Sequence, residues 1–334
     1  MTKGRSYGLG AIALLVSTIT TLMILEYAVR WMIPAFDPSG HITFQGEGGK
    51  QPYLGVPDSV QRQIKNTGDF DVTIRFNRLG FRDDRDVSSA ADADWVAVGD
   101  SLSFGWGVEE EDRVTEQLEK LLGKRIFNLS VPSDLNVTSK IISYAEAQGA
   151  RVGRLILFFS MEARLSNYDA VDQEALKPTA RRLSLTALKN YLMTNSALYF
   201  LVTSAVHRSP RLKEIFINLG LINPNMMGFP RRKLDQQVIE SSTRKLAEIT
   251  AKYRSVVVVC PSRGLWVKDT AVDERQIHAA LITALRQSGV IFVDTVPAFE
   301  ENGRPMDYFF KNDGHWNPEG HKMLARFLAA RLPQ

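Results

Sequence analysis

Short apolar runs alternate with longer segments of helical periodicity from about residue 71 to the end of the chain. The apolar runs predict five strands, over residues 95–98, 125–129, 155–159, 255–260 and 290–293. The segments around them predict helices over residues 112–123, 135–149, 234–252, 271–287 and 318–331. This alternation is typical of a parallel sheet with crossover helices, so we expect an α/β domain over residues 71–334.

Residues 161–233 interrupt the alternation and are too long for an ordinary loop, so we predict a basic, partly helical insertion. It carries 11 Lys/Arg and 5 Asp/Glu, a balance of +6, which leaves −2 for the rest of a chain of net charge +4. This charge suits solubility, anionic lipid headgroups or an acidic polymer. Within it, residues 191–206 predict a helix packed on the body, too short to count as a second membrane span.

The N-terminal segment, residues 1–36, is predicted to be a membrane anchor. Residues 7–25 carry no charge, and a helix of this length rises about 28 Å, close to the thickness of a hydrocarbon core. A cleaved signal peptide is the alternative, but its apolar region is shorter and ends at small residues. We therefore expect one uncleaved transmembrane helix.

Charges around this helix indicate its orientation. Lys3 and Arg5 precede it and favour an N-terminus in the cytoplasm, whereas Arg30 on the far side weakens that indication. We expect an inner-membrane protein with its main domain in the periplasm or an equivalent space. Residues 37–70 are polar and rich in Gly, Asp and Gln, and predict a linker or stalk. The single cysteine, Cys260, excludes an internal disulfide.

A serine follows the first predicted strand on a sharp turn, in the sequence GDSLSFGWG at residues 99–107. A second motif, DGHWNPEGH, occupies residues 313–321. A serine hydroxyl needs an adjacent base and a group that orients the base. Ser101, His315 and Asp313 are our candidates for these three roles. Both segments open at the carboxyl edge of a parallel sheet, so their separation in sequence does not prevent contact.

The two motifs resemble the first and last sequence blocks of the SGNH/GDSL hydrolase superfamily. The resemblance extends to NRLGFR at 77–82 and NLSVP at 128–132, and it covers roughly residues 75–334. Within the superfamily, the sequence is similar to the membrane-anchored envelope branch that modifies polysaccharide O-acyl groups. It implies a flavodoxin-like three-layer α/β/α fold with a mostly parallel five-stranded sheet. It also implies an oxyanion hole formed by the backbone N–H groups of Ser101 and Ser130, the latter standing where the family has glycine.

The third block departs from the family pattern. The family ends its third strand with an asparagine that donates to the oxyanion, whereas FFSMEA at 158–163 places Met161 or Glu162 there. Losing one such donor costs about 2.7–4 kcal/mol of transition-state stabilisation. Asn167 or Asn136 is a possible replacement from a neighbouring loop.

Other residues near the motifs have two interpretations. Trp106, Trp316 and Glu162 are possible substrate-lining residues, although aromatic packing explains the tryptophans equally well. His321 and Asp100 are interpreted as structural, the aspartate as a brace of the serine turn.

Three functions remain open at this point. The first is a membrane-tethered serine esterase acting on O-acyl groups of an envelope glycan, and the second is an acyltransferase with the same first half-reaction. The third is a catalytically weak or inactive SGNH-like subunit with a binding or scaffold role in a membrane complex. Expected partners are membrane lipid, an acylated glycan and a partner membrane protein. No zinc-type spacing, phosphate-binding loop or nucleic-acid module appears, so we expect no metal, cofactor or nucleic-acid ligand.

Overall fold

A computed structural model of the chain describes residues 3–46, 52–169, 185–219 and 231–333. Parts of the predicted insertion, residues 170–184 and 220–230, lie outside the described residues. The helices are α1 (Lys3–Met32), α2 (Ser101–Phe104), α3 (Val114–Leu122), α4 (Leu135–Ala147), α5 (Met161–Arg164), α6 (Leu185–Asn195), α7 (Ala197–Arg208), α8 (Pro210–Asn218), α9 (Gln236–Thr250), α10 (Ala271–Gln287), α11 (Val296–Glu300) and α12 (Pro318–Ala329). The strands are β1 (Phe44–Gln45), β2 (Leu54–Gly55), β3 (Val60–Ile64), β4 (Asp71–Arg75), β5 (Trp95–Val98), β6 (Ile126–Asn128), β7 (Arg154–Ser160), β8 (Arg254–Cys260) and β9 (Phe292–Asp294).

Five parallel strands form the main sheet in the order β6-β5-β7-β8-β9. This is the flavodoxin-like order, in which the chain starts near the middle of the sheet and changes direction once. The predicted α/β fold is confirmed. Because all these strands run the same way, the segments that follow β5, β7 and β8 leave the sheet at one edge.

Alternate residues of each strand face opposite layers of helices. Val96 and Val98 pack in a core with α4, α9 and α10, whereas Trp95 and Ala97 pack in a second core with α3 and α12. Both faces of a strand such as β7 are therefore apolar, which explains its continuous hydrophobic run. The sheet thus has a helical layer on each side.

The chain folds into two compact units. The α1 unit comprises Met1–His41, Ile64–Gly68 and Pro178–Pro224. The sheet unit comprises Ile42–Gln63, Asp69–Lys177 and Asn225–Gln334.

Residues 37–70, predicted to be a linker, contribute to both units. Part of that segment forms β1, β2 and β3, because its few apolar residues are used in packing. Ile42, for example, is buried in a small core with Phe76 and Phe104.

The helix predicted over residues 191–206 is divided between α6 and α7. Ser196 breaks it, since its hydroxyl accepts the N–H of Tyr199 and so begins α7. Both helices belong to the α1 unit and not to the sheet unit that was expected to hold them.

Helix α1 has 30 residues, and its segment Gly10–Met32 has a mean hydropathy of 1.9. By length and composition this segment is sufficient to cross a membrane. Its apolar side chains are largely exposed, for example Leu14 at 70%. These properties are consistent with a signal anchor or a signal peptide.

Candidate active site

The turn after β5 presents Ser101 as the first residue of α2. Asp100 caps this short helix, with its carboxylate accepting the N–H of Leu102 at 3.0 Å. A side chain at Gly99 would collide with the hydroxyl of Ser103, so only glycine fits before the turn. The sequence therefore places the hydroxyl of Ser101 at the carboxyl edge of the sheet.

The loop before α12 brings His315 to this hydroxyl. His315 Nε2 lies 2.8 Å from Ser101 Oγ, and His315 Nδ1 contacts the Asp313 carboxylate. The same carboxylate accepts the backbone N–H of His315 at 3.1 Å. Asp313 is 7% exposed, so its hydrogen bonds face little competition from water. With a proton on Nδ1, Nε2 is free to accept the serine proton.

Neighbouring contacts hold the histidine loop in place. The backbone N–H of Asn312 donates to Asp69 at 3.1 Å, and Asn317 caps α12 by accepting the N–H of Gly320 at 2.9 Å. The loop is thus fixed on both sides of His315, which preorganises the imidazole.

The two candidate substrate-lining tryptophans occupy different environments. Trp106 stacks on His315, with ring centroids 5.5 Å apart and planes inclined by 26°. Trp316 is 1% exposed and packs against Phe299 and His321, so it does not line the substrate side. The reason is that Trp316 follows His315 in an extended segment, where successive side chains point to opposite faces.

The expected oxyanion donors are only partly placed as predicted. Within the described ranges, the backbone N–H of Ser101 has no hydrogen-bond partner. The N–H of Ser130 instead donates to the Asn128 side chain at 2.8 Å, and the Ser130 hydroxyl accepts from Ser103 at 2.8 Å. The added side chain thus ties Ser130 into a buried network, and the structure leaves its N–H committed to Asn128.

The candidate residues around the third block lie in different environments. Met161 is buried, and Glu162 pairs with Arg263 at 2.5 Å. Asn167 accepts the N–H of Asp169 within its own turn. Asn136 is exposed in the first turn of α4. Among the described hydrogen bonds, none links either asparagine to Ser101 or His315.

Arg263 is a charged residue of this site that sequence reasoning missed. Its guanidinium fills the space in which a side chain at Gly314 would lie, so it borders the segment between Asp313 and His315. It also carries the counter-charge of Glu162. Arg263 follows β8, whose carboxyl end meets the same sheet edge as Ser101, and this position was the available signal.

Arg164 is a second missed residue and lies beneath the site. It is fully buried and donates to the carbonyl oxygens of Ser133 at 3.0 Å and Phe158 at 3.4 Å. Its Nε lies 3.8 Å from a carboxylate oxygen of Asp100. Burial lowers the pKa of Arg164, and Asp100 opposes that shift. One guanidinium therefore joins β7, the loop after β6 and the serine turn.

Arg82 supports the loop that carries Trp106. It donates to the carbonyl oxygens of Gly105 at 2.5 Å and Val108 at 2.6 Å. Burial and the nearby Arg113 lower the pKa of Arg82 to about 9. The NRLGFR segment thus contributes a buried arginine, Arg82, that holds the Trp106 loop in place.

His321 lies apart from the proton relay. It is fully buried, and its Nδ1 accepts the backbone N–H of Val114 at 3.2 Å. Burial lowers the pKa of His321 to about 3, so the ring is neutral at pH 7. Its surroundings agree with the structural interpretation.

Metal-ligating residues do not cluster around the triad. In the part of the chain that the structure describes, no group of three or more His, Cys, Asp or Glu could hold a metal ion. His278 contacts Asp294 at 3.1 Å, and Cys260 is buried in the core.

Comparison with known proteins finds a family match for the last third of the chain. Residues 223–334 match a family described as SGNH hydrolase-like domain, acetyltransferase AlgX. The alginate biosynthesis protein AlgX of Pseudomonas aeruginosa is 32% identical over 89 residues, which cover 24% of this chain and 19% of that protein. The chain thus spans about a fifth of the length of this relative. The resemblance to the SGNH superfamily is confirmed over residues 223–334.

Two solved structures are similar to this chain over most of their length. A G-D-S-L family lipolytic protein from Veillonella parvula is 10% identical, with a TM-score of 0.43 and coverage of 72% of this chain and 99% of that one. An acetylxylan esterase from Geobacillus stearothermophilus is 12% identical, with a TM-score of 0.39 and coverage of 73% and 95%.

Proposed function

We propose that this chain, which carries an SGNH hydrolase-like domain of the AlgX type, is a membrane-tethered serine esterase or acyltransferase acting on O-acyl groups of an envelope glycan. The observation that carries the proposal is the continuous hydrogen-bonded series Ser101–His315–Asp313. Each member has the contact that its role requires.

In the first half-reaction, Ser101 Oγ attacks the carbonyl carbon of an acyl ester. His315 Nε2 takes the serine proton as the new C–O bond forms, and Asp313 stabilises the resulting imidazolium. When the tetrahedral intermediate collapses, His315 returns this proton to the departing alkoxide. An acyl-Ser101 ester and a free alcohol result.

In the second half-reaction, a hydroxyl group attacks the acyl-Ser101 carbonyl. His315 now takes the proton of the attacking group and returns it to Ser101 Oγ. If the attacking group is water, the products are a carboxylic acid and free enzyme. If it is a sugar hydroxyl, the acyl group is transferred. Exclusion of water from the site decides between the two outcomes.

The oxyanion of the tetrahedral intermediate has one backbone donor at hand, the N–H of Ser101. Arg263 adds positive charge beside the His315 loop and offsets the charge of Glu162. Such a site stabilises the oxyanion less than one with three neutral donors. We therefore expect slow turnover of simple esters.

A glycan substrate is supported by the family description and by the name of the Pseudomonas relative, which refer to acetyl transfer and to alginate biosynthesis. The stacked pair Trp106 and His315 offers an aromatic surface beside the nucleophile, against which a sugar ring can pack.

The membrane tether is supported by contacts of α1 within the α1 unit. Glu26 accepts the N–H groups of Ala197 and Leu198, and Arg30 donates to the carbonyl of Asn195. A cleaved signal peptide would leave these groups without their partners. These contacts favour an anchor that stays attached to the protein.

A second candidate is an inactive SGNH-like subunit with a scaffold role. It is favoured by one observation, the commitment of the Ser130 N–H to Asn128 combined with the missing third-block asparagine. The assembled triad favours the enzymatic proposal, and the experiment below separates the two.

Turnover of p-nitrophenyl acetate by the purified full chain tests the proposal. We expect slow release of p-nitrophenol by the wild type, loss of this release in Ser101→Ala, and no change in the control Ser288→Ala, an exposed serine after α10. Adding glycan acceptors and measuring their acetylation by mass spectrometry distinguishes transfer from hydrolysis. Equal release by the wild type and Ser101→Ala would contradict the proposal.

A further inference from the structure

A groove of about 840 Å³ lies within the α1 unit, between α1 and the junction of α6 and α7. Apolar side chains form most of its wall: Ile19, Leu22, Met23, Leu192, Leu198 and Val202. Glu26 and Arg30, one helical turn apart on α1, border the groove. The groove is therefore an apolar channel with charged groups at one end.

The position of these charges along α1 gives the depth of the groove. Residues 7–25 are uncharged, so Glu26 is the first charged residue after the apolar stretch. Ile19 lies seven residues before Glu26 in the helix, a rise of about 10 Å. In a membrane-spanning α1, Glu26 marks the interface and the groove extends about 10 Å into the hydrocarbon.

The start of α7 has its hydrogen bonds satisfied without water. The first two N–H groups, of Ala197 and Leu198, donate to Glu26 at 2.8 and 3.0 Å. Ser196 accepts the next two, with its hydroxyl at 3.1 Å and its carbonyl at 3.0 Å. Water usually completes a helix start, but in a bilayer each N–H needs a protein partner. This complete set of bonds is what a helix start at membrane depth requires.

Helices α6, α7 and α8 and the residue that follows α8 expose apolar side chains. Those that are 40% exposed or more are Leu188, Tyr191, Val202, Leu212, Ile215 and Leu219. Basic residues accompany them in residues 185–219, with Lys189, Arg208, Arg211 and Lys213 against Glu214. Apolar side chains flanked by cations are typical of helices that lie in the interface of an anionic bilayer.

We propose that α6, α7 and α8 lie in the membrane interface beside the end of α1, and that the groove holds an acyl chain of a membrane phospholipid. The lipid is the occupant that the depth of the groove implies, because acyl chains surround a membrane-spanning helix. The charge of the segment complements anionic headgroups. The inference rests on the membrane tether of the proposed function and is independent of the acyl chemistry.

Lipid contact at a labelled cysteine tests this inference. Val202→Cys in the full chain is labelled with the environment-sensitive dye NBD and reconstituted in nanodiscs of phosphatidylcholine and phosphatidylglycerol. The native Cys260 is buried, so we expect it to stay unlabelled. Val272→Cys, at a 70% exposed position on α10 of the sheet unit, is the matched control. Brominated acyl chains then quench dyes that they contact.

We expect severalfold stronger quenching at position 202 than at position 272. Ile215→Cys, on α8, gives the same reading if Val202→Cys does not fold. Equal, weak quenching at 202, 215 and 272 would overturn the inference. A blue-shifted emission at 202 without quenching by brominated lipid would also overturn it, since a second copy of the chain would then cover the groove. Neither result depends on esterase activity.

Discussion

At the scale of single residues, two histidines six positions apart illustrate how surroundings decide a role. His315 has Ser101 on one ring nitrogen and Asp313 on the other. His321 has one backbone donor and no charged partner within hydrogen-bond distance in the described structure. The first arrangement favours a ring that gains and loses a proton, and the second favours one that stays neutral.

His321 predicts an acid sensitivity of folding. Its pKa is about 3 in the folded protein and 6.5 in the unfolded chain, so the unfolded state binds the proton first as pH falls. The contribution of the neutral His321 ring to the free energy of unfolding is complete well above pH 6.5. It is lost as the pH decreases from 6.5 towards 3. At pH 5 the loss is about 2 kcal/mol. Urea unfolding at pH 7 and pH 5 should therefore show a smaller decrease in His321→Asn than in the wild type.

Asp83 is a further buried group that titrates in this range. Burial raises its pKa to about 6, so its protonation favours folding as pH falls. The wild type and His321→Asn both contain Asp83, so its effect on stability cancels when the two are compared. The same decrease in both proteins would contradict the assignment of His321 as a buried neutral ring.

The proximity of the three candidate triad residues could be predicted from sequence, whereas the hydrogen bonds around them could not. Ser101, His315 and Asp313 were found from spacing and resemblance, and the structure brings them together. The Ser130 N–H has a different partner from the expected oxyanion, and Trp316 follows the packing interpretation of its two alternatives. The Ser130 N–H donates to the Asn128 side chain, and Trp316 lies on the core side of its extended segment, against Phe299.

At the scale of elements, the five strands of the main sheet were predicted to within two residues, because continuous apolar runs leave a clear signal. The short strands β1 to β4 were not predicted. The segment after β7 was harder to interpret. It forms the short helix α5, and Arg164 at its end is fully buried. A buried arginine cannot be recognised from sequence, since most arginines are exposed.

Arg164 is expected to be a positioning residue for the serine turn. Arg164→Ala leaves the buried Asp100 without its cation and two carbonyls without a donor, so the turn should lose its fixed geometry. We expect kcat for p-nitrophenyl acetate to fall at least about tenfold with little change in KM. Arg164→Lys should recover part of the activity, because it restores the charge.

The control for this experiment is Arg125→Ala. Arg125 pairs with Asp94 at the opposite, amino edge of the sheet and is half exposed. It should leave kcat unchanged. A proportional loss of folded protein without a change in kcat for Arg164→Ala would contradict a positioning role and indicate a structural one.

At the scale of the whole molecule, the division into two units is the feature that sequence analysis described least well. The polar segment over residues 37–70 suggested a stalk, but most of it belongs to the sheet unit. The α1 unit joins segments far apart in sequence, and its interactions depend on individual polar residues such as Glu26. Contacts between segments far apart in sequence cannot be predicted from the composition of either segment.

The mature protein is expected to retain α1. Glu26 and Arg30 supply hydrogen bonds to the α6–α7 junction, so cleavage after α1 would leave polar groups unsatisfied. N-terminal peptide mapping of the protein extracted from membranes should find peptides that precede Glu26. A mature chain that begins after Phe36 would contradict the anchor and the lipid groove together, and would leave the triad unaffected.

Labelling with a fluorophosphonate probe tests the central claim, that Ser101 is a nucleophile activated by His315. We expect an adduct on the peptide that contains Ser101 in the wild type and in His321→Asn. We expect none in Ser101→Ala or His315→Ala. The absence of wild-type labelling under conditions that label a known serine esterase would contradict the account, as would equal labelling of the wild type and Ser101→Ala.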